Sequence, residues 1–198
     1  MSLFRIAFAV AALLCASCAS PEIRRNGRPA RPRAKSEKPI DRTAILVGQR
    51  QLDEDVWQPV ENQPSIGIEF SSISASTGTG FEVGLGASRD DAMVGATKVD
   101  VTMLEFFGGL RVQRPHGTVR PFAGLGGVAT YVDAEIGFAP EANAAISLGG
   151  YVHGGIHFEI SEDVDLVLEV RKRVGEDVDL SGAEIDIDYL TFAAGLSF

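Results

Sequence analysis

Two histidines four residues apart, His153 and His157, are the side chains of this sequence best suited to proton transfer or metal ligation. On a strand that spacing places both on one face, about 13 Å apart, so they cannot share one metal without a third element between them. They are expected to face inward and hydrogen-bond to Glu159 or Glu105. A second candidate is Asp177-Val178-Asp179-Leu180-Ser181-Gly182, which matches the first half of a calcium loop, with Asp188 at its twelfth position. Glu184 stands where such a loop carries an apolar residue, and no helical pattern flanks it. A solvated acidic hairpin is therefore the expectation, and no metal site is assigned. The chemistry left to Asp177, Asp179, Ser181 and Asp188 is weak attraction of divalent cations, with Asp53, Glu54, Asp55, Asp90 and Asp91 at the same end. No nucleophile and base emerge as a pair. Neither an enzyme nor a cofactor is expected.

The cysteines speak to compartment instead of catalysis. Arg5 precedes an uncharged apolar run, Ile6 to Leu14, of signal-peptide size. A membrane-spanning helix needs roughly 20 such residues, and no later stretch approaches that. Cys15 and Cys18 lie at the end of this signal, so a processed chain has at most one thiol and no internal disulfide. Leu14-Cys15-Ala16-Ser17-Cys18 is similar to a bacterial lipobox, apart from Cys15 where Leu or Val is usual. That likeness implies a signal peptide over 1–17 and lipidation of Cys18. The competing reading is ordinary cleavage after Ala19, with the signal over 1–19.

Residues 18–42 form a basic, proline-rich linker. Between 20 and 42 it carries eight Lys/Arg against three Asp/Glu and almost no large apolar side chains. Such a segment cannot bury enough surface to offset its ordering entropy, so a disordered tether is expected. An exported chain meets little nucleic acid, so anionic lipid or wall polymers are the better partners for its arginines.

From 43 to 198 the balance reverses to nine Lys/Arg against twenty-four Asp/Glu, and hydropathy alternates with period two. Strands are predicted near 43–52, 65–75, 80–88, 98–113, 119–132, 146–160, 164–174 and 185–198. Tight turns near 77–80, 114–117 and 161–163 alternate with longer acidic loops near 53–64, 89–97, 133–145 and 175–184. Trp57, in one of these loops, is expected to anchor at the membrane interface. Short turns at one end and longer loops at the other suit a transmembrane barrel, and an even strand count returns both chain ends to the short-turn side.

One phase of every strand is apolar, as in Ile66, Ile68 and Phe70 or Leu104, Phe106 and Leu110. The other holds acids, bases, glycines and hydroxyls. A lipocalin-like periplasmic barrel binding a small apolar ligand would show the same alternation. The mixture of acids and bases in the polar phase, with hardly any lysine, favours a filled interior over a wetted surface. The fold predicted is an all-β, eight-stranded antiparallel up-and-down transmembrane barrel, its lumen filled by side chains and closed as a pore.

The last strand ends Tyr189-Leu190-Thr191-Phe192-Ala193-Ala194-Gly195-Leu196-Ser197-Phe198. It resembles the C-terminal signature of outer-membrane β-barrels, an alternation closing on phenylalanine. In that family Phe198, Leu196, Phe192 and Leu190 would be read by the barrel-assembly machinery. Arg120-Pro121-Phe122-Ala123-Gly124-Leu125-Gly126-Gly127 looks like a strand common to small OmpA/OmpX- and opacity-type barrels. The resemblance covers about 43–198 and implies the cell outer membrane, with outer-membrane lipids and lipopolysaccharide as surroundings. A structural or surface-interaction role is the expectation. Lipid-A-modifying enzymes of similar architecture place a histidine on the lipid side, and the apolar phase here has none.

Inside, a charge network is expected. Arg111 and Arg120 lie about symmetrically around the 115–116 turn and should be cross-strand neighbours, compensated in a ring Glu82–Arg111–Arg120–Glu159. Glu69, Glu105, Glu169 and Arg171 would form a second layer above it.

Overall fold

Strict alternation of β-branched and aromatic residues with glycine, hydroxyl and charge leaves these segments one good backbone state, an extended one with two chemically distinct faces. The computed structural model describes residues 38–53, 57–136, 143–175, 177–180 and 183–198. Its strands are β1 (Ile40–Leu52), β2 (Asn62–Ile73), β3 (Thr79–Val94), β4 (Thr97–Gln113) and β5 (Val119–Ile136). They continue with β6 (Asn143–Ser161), β7 (Val164–Gly175), β8 (Val178–Leu180), β9 (Ala183–Ile185) and β10 (Tyr189–Ser197). Eight of them, β1 to β7 and β10, close an antiparallel up-and-down barrel. Consecutive barrel strands are neighbours, with the small β8–β9 hairpin inserted between β7 and β10, and the first strand meets the last.

Closure is made by β1 and β10, from Ala44 opposite Ser197 to Leu52 opposite Tyr189. The ladder runs to the last residue: Thr43 N–H donates to the Phe198 carbonyl at 2.8 Å, and Phe198 N–H to the Thr43 carbonyl at 2.9 Å. No edge is left along this seam, as a sheet in hydrocarbon requires.

The outward phase is apolar all the way round. Ile66, Leu85, Phe106, Leu125, Leu148, Leu168 and Phe192 are exposed, while Glu69, Glu82, Glu105, Arg111, Glu169 and Arg171 are buried. A barrel dissolved in water has the reverse arrangement, so the lipocalin-like alternative is overturned. Such a surface is stable only where hydrocarbon replaces water, and this is a transmembrane barrel.

Four readings differ from expectation. The region 89–97 is not a loop: β3 and β4 continue past the apolar band to a two-residue turn at Gly95-Ala96, with Gly95 at φ 65°. Both faces mix charged and apolar residues there, so alternation gives no strand signal, but water tolerates a strand whose backbone pairs across the ladder. The tether gives way to β1 at Ile40, because Ile40, Asp41 and Arg42 pair with Ile73, Ser72 and Ser71. The final barrel strand begins at Tyr189, since Ala183–Ile185 folds back on Val178–Leu180. Trp57 is no interfacial anchor. It turns into the barrel mouth, where its indole N–H donates to the Asp186 carbonyl at 2.8 Å. Residues 1–37, which hold the expected signal, Cys18 and most of the expected linker, lie outside the described residues.

Candidate functional site

The lumen has three storeys. At the loop end Leu52, Trp57, Val60, Val101, Met103, Val132, Ile187 and Tyr189 pack as an apolar cap. Nearer the turn end, Ala44, Leu46, Phe122 and Val167 form a smaller apolar cluster. The charged side chains lie largely between the two. Among the described residues five inward arginines, Arg50, Arg111, Arg120, Arg171 and Arg173, are buried with five inward carboxylates, Glu69, Glu82, Glu105, Asp165 and Glu169. The inward phase thus balances charge for charge. That balance is the condition for burying ions at tolerable cost.

Arg111 on β4 is ion-paired to Glu69 on β2, lies 3.4 Å from Glu82 Oε2 on β3, and reaches His157 Nε2 on β6 at 2.8 Å. Its guanidinium stacks on the Phe122 ring, 3.8 Å from the centroid. Arg171 on β7 sits 3.0 Å from Glu69, 2.8 Å from Glu169 and 3.7 Å from Glu105, over the Phe107 ring at 3.6 Å. Arg50 on β1 lies 2.8 Å from Glu105 and donates to Ser88 Oγ at 3.0 Å, which in turn donates to Gln63 at 2.7 Å. Tyr151 donates to Glu82 Oε1 at 2.7 Å, and Tyr189 donates to Glu105. Planar guanidinium forks suit this work, since each offers five donors to several acids and a flat face to a ring.

The histidines are spokes of this network. His153 Nε2 lies 2.7 Å from Glu82 and its Nδ1 3.4 Å from Glu169, while His157 Nδ1 lies 3.4 Å from Asp165. Their expected partners, Glu159 and Glu105, are not the ones used. Glu69, Glu82 and His153 come close enough to hold a metal ion, their ligand atoms lying within 4.8 Å of one another. The Arg111 guanidinium already stands between both carboxylates, where a cation would have to go.

The expected ring needs correction in three places. Arg111 and Arg120 are not cross-strand neighbours: the β4–β5 register sets Arg111 opposite Gly124 and Gln113 opposite Phe122, so the hairpin is centred further along the chain than 115–116. Glu159 is exposed: it lies opposite Asp165 near the short turn, close to the end of the β6–β7 ladder. Asp165 of β7 is the partner of Arg120 in its place. The two supposed layers are one mesh, since Glu69 binds Arg111 and Arg171 alike. Arg50, Arg173, Tyr151, Tyr189 and Asp165 belong to it and were missed. Their inward phase was visible in the alternation, but their depth was not.

The weak calcium-loop candidates fall in different surroundings. Asp177 is exposed, Asp179 lies in β8 opposite Glu184, and Ser181 lies outside the described residues. Asp188 Oδ1 accepts the Gly175 N–H at 2.9 Å, with its other oxygen 3.6 Å from Lys172 Nζ. A calcium loop curls its ligands around one point, whereas a paired ladder holds its backbone straight. Of the terminal signature, Phe192, Leu196 and Phe198 face outward and exposed, and Leu190 is half-buried.

No protein-family model and no curated protein matches the sequence. Solved structures do match in fold. Neisserial surface protein A superposes with a TM-score of 0.61 at 11% identity, over 81% of this chain and 98% of that one. Ail, the attachment invasion locus protein of Yersinia pestis, solved with the heparin analogue sucrose octasulfate, gives 0.54 at 12%, over 82% and 100%. A major outer membrane protein from Thermus thermophilus gives 0.51 at 10%, over 80% and 99%. At such identities the likeness is one of fold: the small eight-stranded outer-membrane barrel.

Proposed function

We propose that this chain is an integral barrel of the cell outer membrane with a structural or surface-interaction role, no catalysis, and a lumen closed to solute flow. The observation that carries this is the inverted barrel: apolar side chains around the whole outer wall and a charge-balanced mesh within. Between Arg50, Glu69, Glu105 and Arg171 there is a void of only about 30 Å³, room for about one or two waters. Both inward histidines are tied into the mesh, His153 to Glu82 and His157 to Arg111.

Outer-membrane lipids and lipopolysaccharide are the surroundings that fit this wall. Divalent cations bridging lipopolysaccharide phosphates to acids at the loop end are the partners that fit the excess of Asp/Glu. The Ail structure holds a polyanion, and the acid excess of this barrel argues against a similar partner here. The exposed terminal alternation, with Phe198 sealing the seam, suits a signal for the barrel-assembly machinery. Lipidation of Cys18 would add an anchor on the same side.

The test is fractionation of cells expressing the full chain. An integral barrel stays in the membrane pellet after a carbonate wash and migrates differently on a gel before and after boiling. Release by carbonate would overturn the reading. Deleting Phe198 should leave unassembled chain in the periplasm, and Cys18→Ala should abolish incorporation of labelled palmitate where Cys15→Ala does not. A lipid A mass spectrum that changes on overexpression would reinstate the enzyme.

A further inference from the structure

β3 is longer than the partner on one of its sides. β2 and β3 pair from Ile73 opposite Gly80 to Ser65 opposite Ser88, and there the ladder stops. β3 runs on to Val94, paired with β4 as far as Val94 opposite Thr97. The remaining β2 residues, Asn62 to Pro64, pair with β1 alone. Continuing the register would bring Pro64 opposite Arg89, and proline has no N–H to give a ladder. Arg89–Val94 is therefore a strand edge without a partner among the described residues. It also stands above the lipid-facing band, because the outward phase of β3 changes from Leu85 and Ala87 to Arg89 and Asp91.

An unpaired edge in water is a template for another strand. One of its donors is covered from within: Asp91 N–H donates to the Asp90 carboxylate at 2.9 Å. That bond shows the Asp91 N–H pointing to the free side, and alternation sends those of Arg89 and Met93 the same way. Antiparallel pairing with a second copy must match residues of the same phase. The register with most overlap would set Asp91 against Asp91, and opposed like charges are destabilising. The ion-pair partner of each among the described residues is the exposed Lys98, 3.4 Å away, a solvent-screened pair of little weight. A strand carrying Lys or Arg opposite Asp91 avoids that repulsion. It can also cover Met93 and Val94, which are 62% and 52% exposed.

We propose that the Arg89–Val94 edge of β3 docks an extended basic segment of a partner protein as an added strand, with Asp90 and Asp91 excluding a second copy of this chain. The inference rests on the reading above only in placing this edge outside the cell. Its test in detergent micelles does not depend on localisation.

The experiment titrates isotope-labelled full chain, folded in micelles, with two short synthetic peptides. Each alternates threonine with a charged residue, lysine in one and glutamate in the other. The lysine peptide should slow amide exchange at Arg89, Asp91 and Met93 by roughly tenfold, and the glutamate peptide should not. Asp91→Lys should exchange the two preferences. Its exposed position leaves the barrel intact, as the shift on boiling would verify. Absence of protection with either peptide, or equal protection with both, would overturn the proposal. So would a concentration-dependent dimer of the unmodified chain that protects the same amides.

Discussion

Gly124 gives His153 its place: a Cβ on Gly124 would lie 2.2 Å from the imidazole Nε2 and 2.8 Å from Glu82 Oε1, the two atoms that meet across the lumen. The imidazole has nowhere to retreat, because the Tyr151 ring stands 5.6 Å from it and the Phe122 ring 5.4 Å. The glycine lies on the strand opposite Arg111, so absence of a side chain at one position makes room where Glu82, His153 and Arg111 converge.

Gly124→Ala should therefore behave as overpacking of a rigid core and lower unfolding free energy by about 1–3 kcal/mol. Urea titration in lipid vesicles measures it. Gly150→Ala is the control, since its nearest neighbour would be at 3.6 Å, an ordinary contact. Equal midpoints for the two variants would refute the steric account.

Glu69 is the acid shared by Arg111 and Arg171. Glu69→Gln leaves both buried guanidinium groups short of compensation, and breaking such a pair typically costs about 3–5 kcal/mol. Asp177→Asn, at an exposed loop acid, should stay within about 0.5 kcal/mol of the parent. The same titration ranks them. If the two losses are alike, the lumen mesh is not what stabilises this barrel.

Trp57 is the only tryptophan and is 5% exposed, its ring inside the barrel mouth. Its emission should be blue-shifted in the folded protein and resistant to quenching by iodide. Trp57→Phe retains the apolar cap but loses the bond to the Asp186 carbonyl, so amide exchange should speed up at 186–189 and leave the barrel strands unchanged. Strong quenching in the folded state would place the ring in water and contradict the cap.

Above the lipid band, Arg89 grips Asp100 with two bonds, at 3.0 and 2.7 Å, and Lys98 adds a third at 3.1 Å. The Arg89 bonds foremost hold the Asp100 carboxyl below its usual range. A depressed carboxylate stabilises the folded hairpin above its unfolded pKa, near 4, and that contribution disappears as pH falls through the lower folded value. Acidification below about pH 4 should thus speed amide exchange in the Arg89–Thr102 part of the β3–β4 hairpin, and Asp100→Asn should remove the pH dependence. Identical profiles for the two proteins would count against this pairing.

Period-two alternation, together with the acid–base mixture of its polar phase, determined the strand count, the barrel class and which phase faces inward. Adjacent residues on a strand point to opposite sides, so Glu69, Glu82, Arg111 and Arg171 could be assigned to one face without any three-dimensional information. Alternation carries no information about depth. Which inward residue meets which depends on the register between strands, and in a tilted barrel a small change of register brings different residues level. Register here is set by hairpin details that composition does not reveal: a β4–β5 turn centred beyond Pro115-His116, which parts Arg111 from Arg120, and a β6–β7 turn that sets Asp165 opposite Glu159, so that Arg120 meets the buried Asp165. Tertiary structure alone likewise decided that Trp57 plugs the lumen and that β3 rises past its neighbour. Burial of an indole and loss of a strand partner depend on chain segments far apart in sequence, where local pattern has no reach.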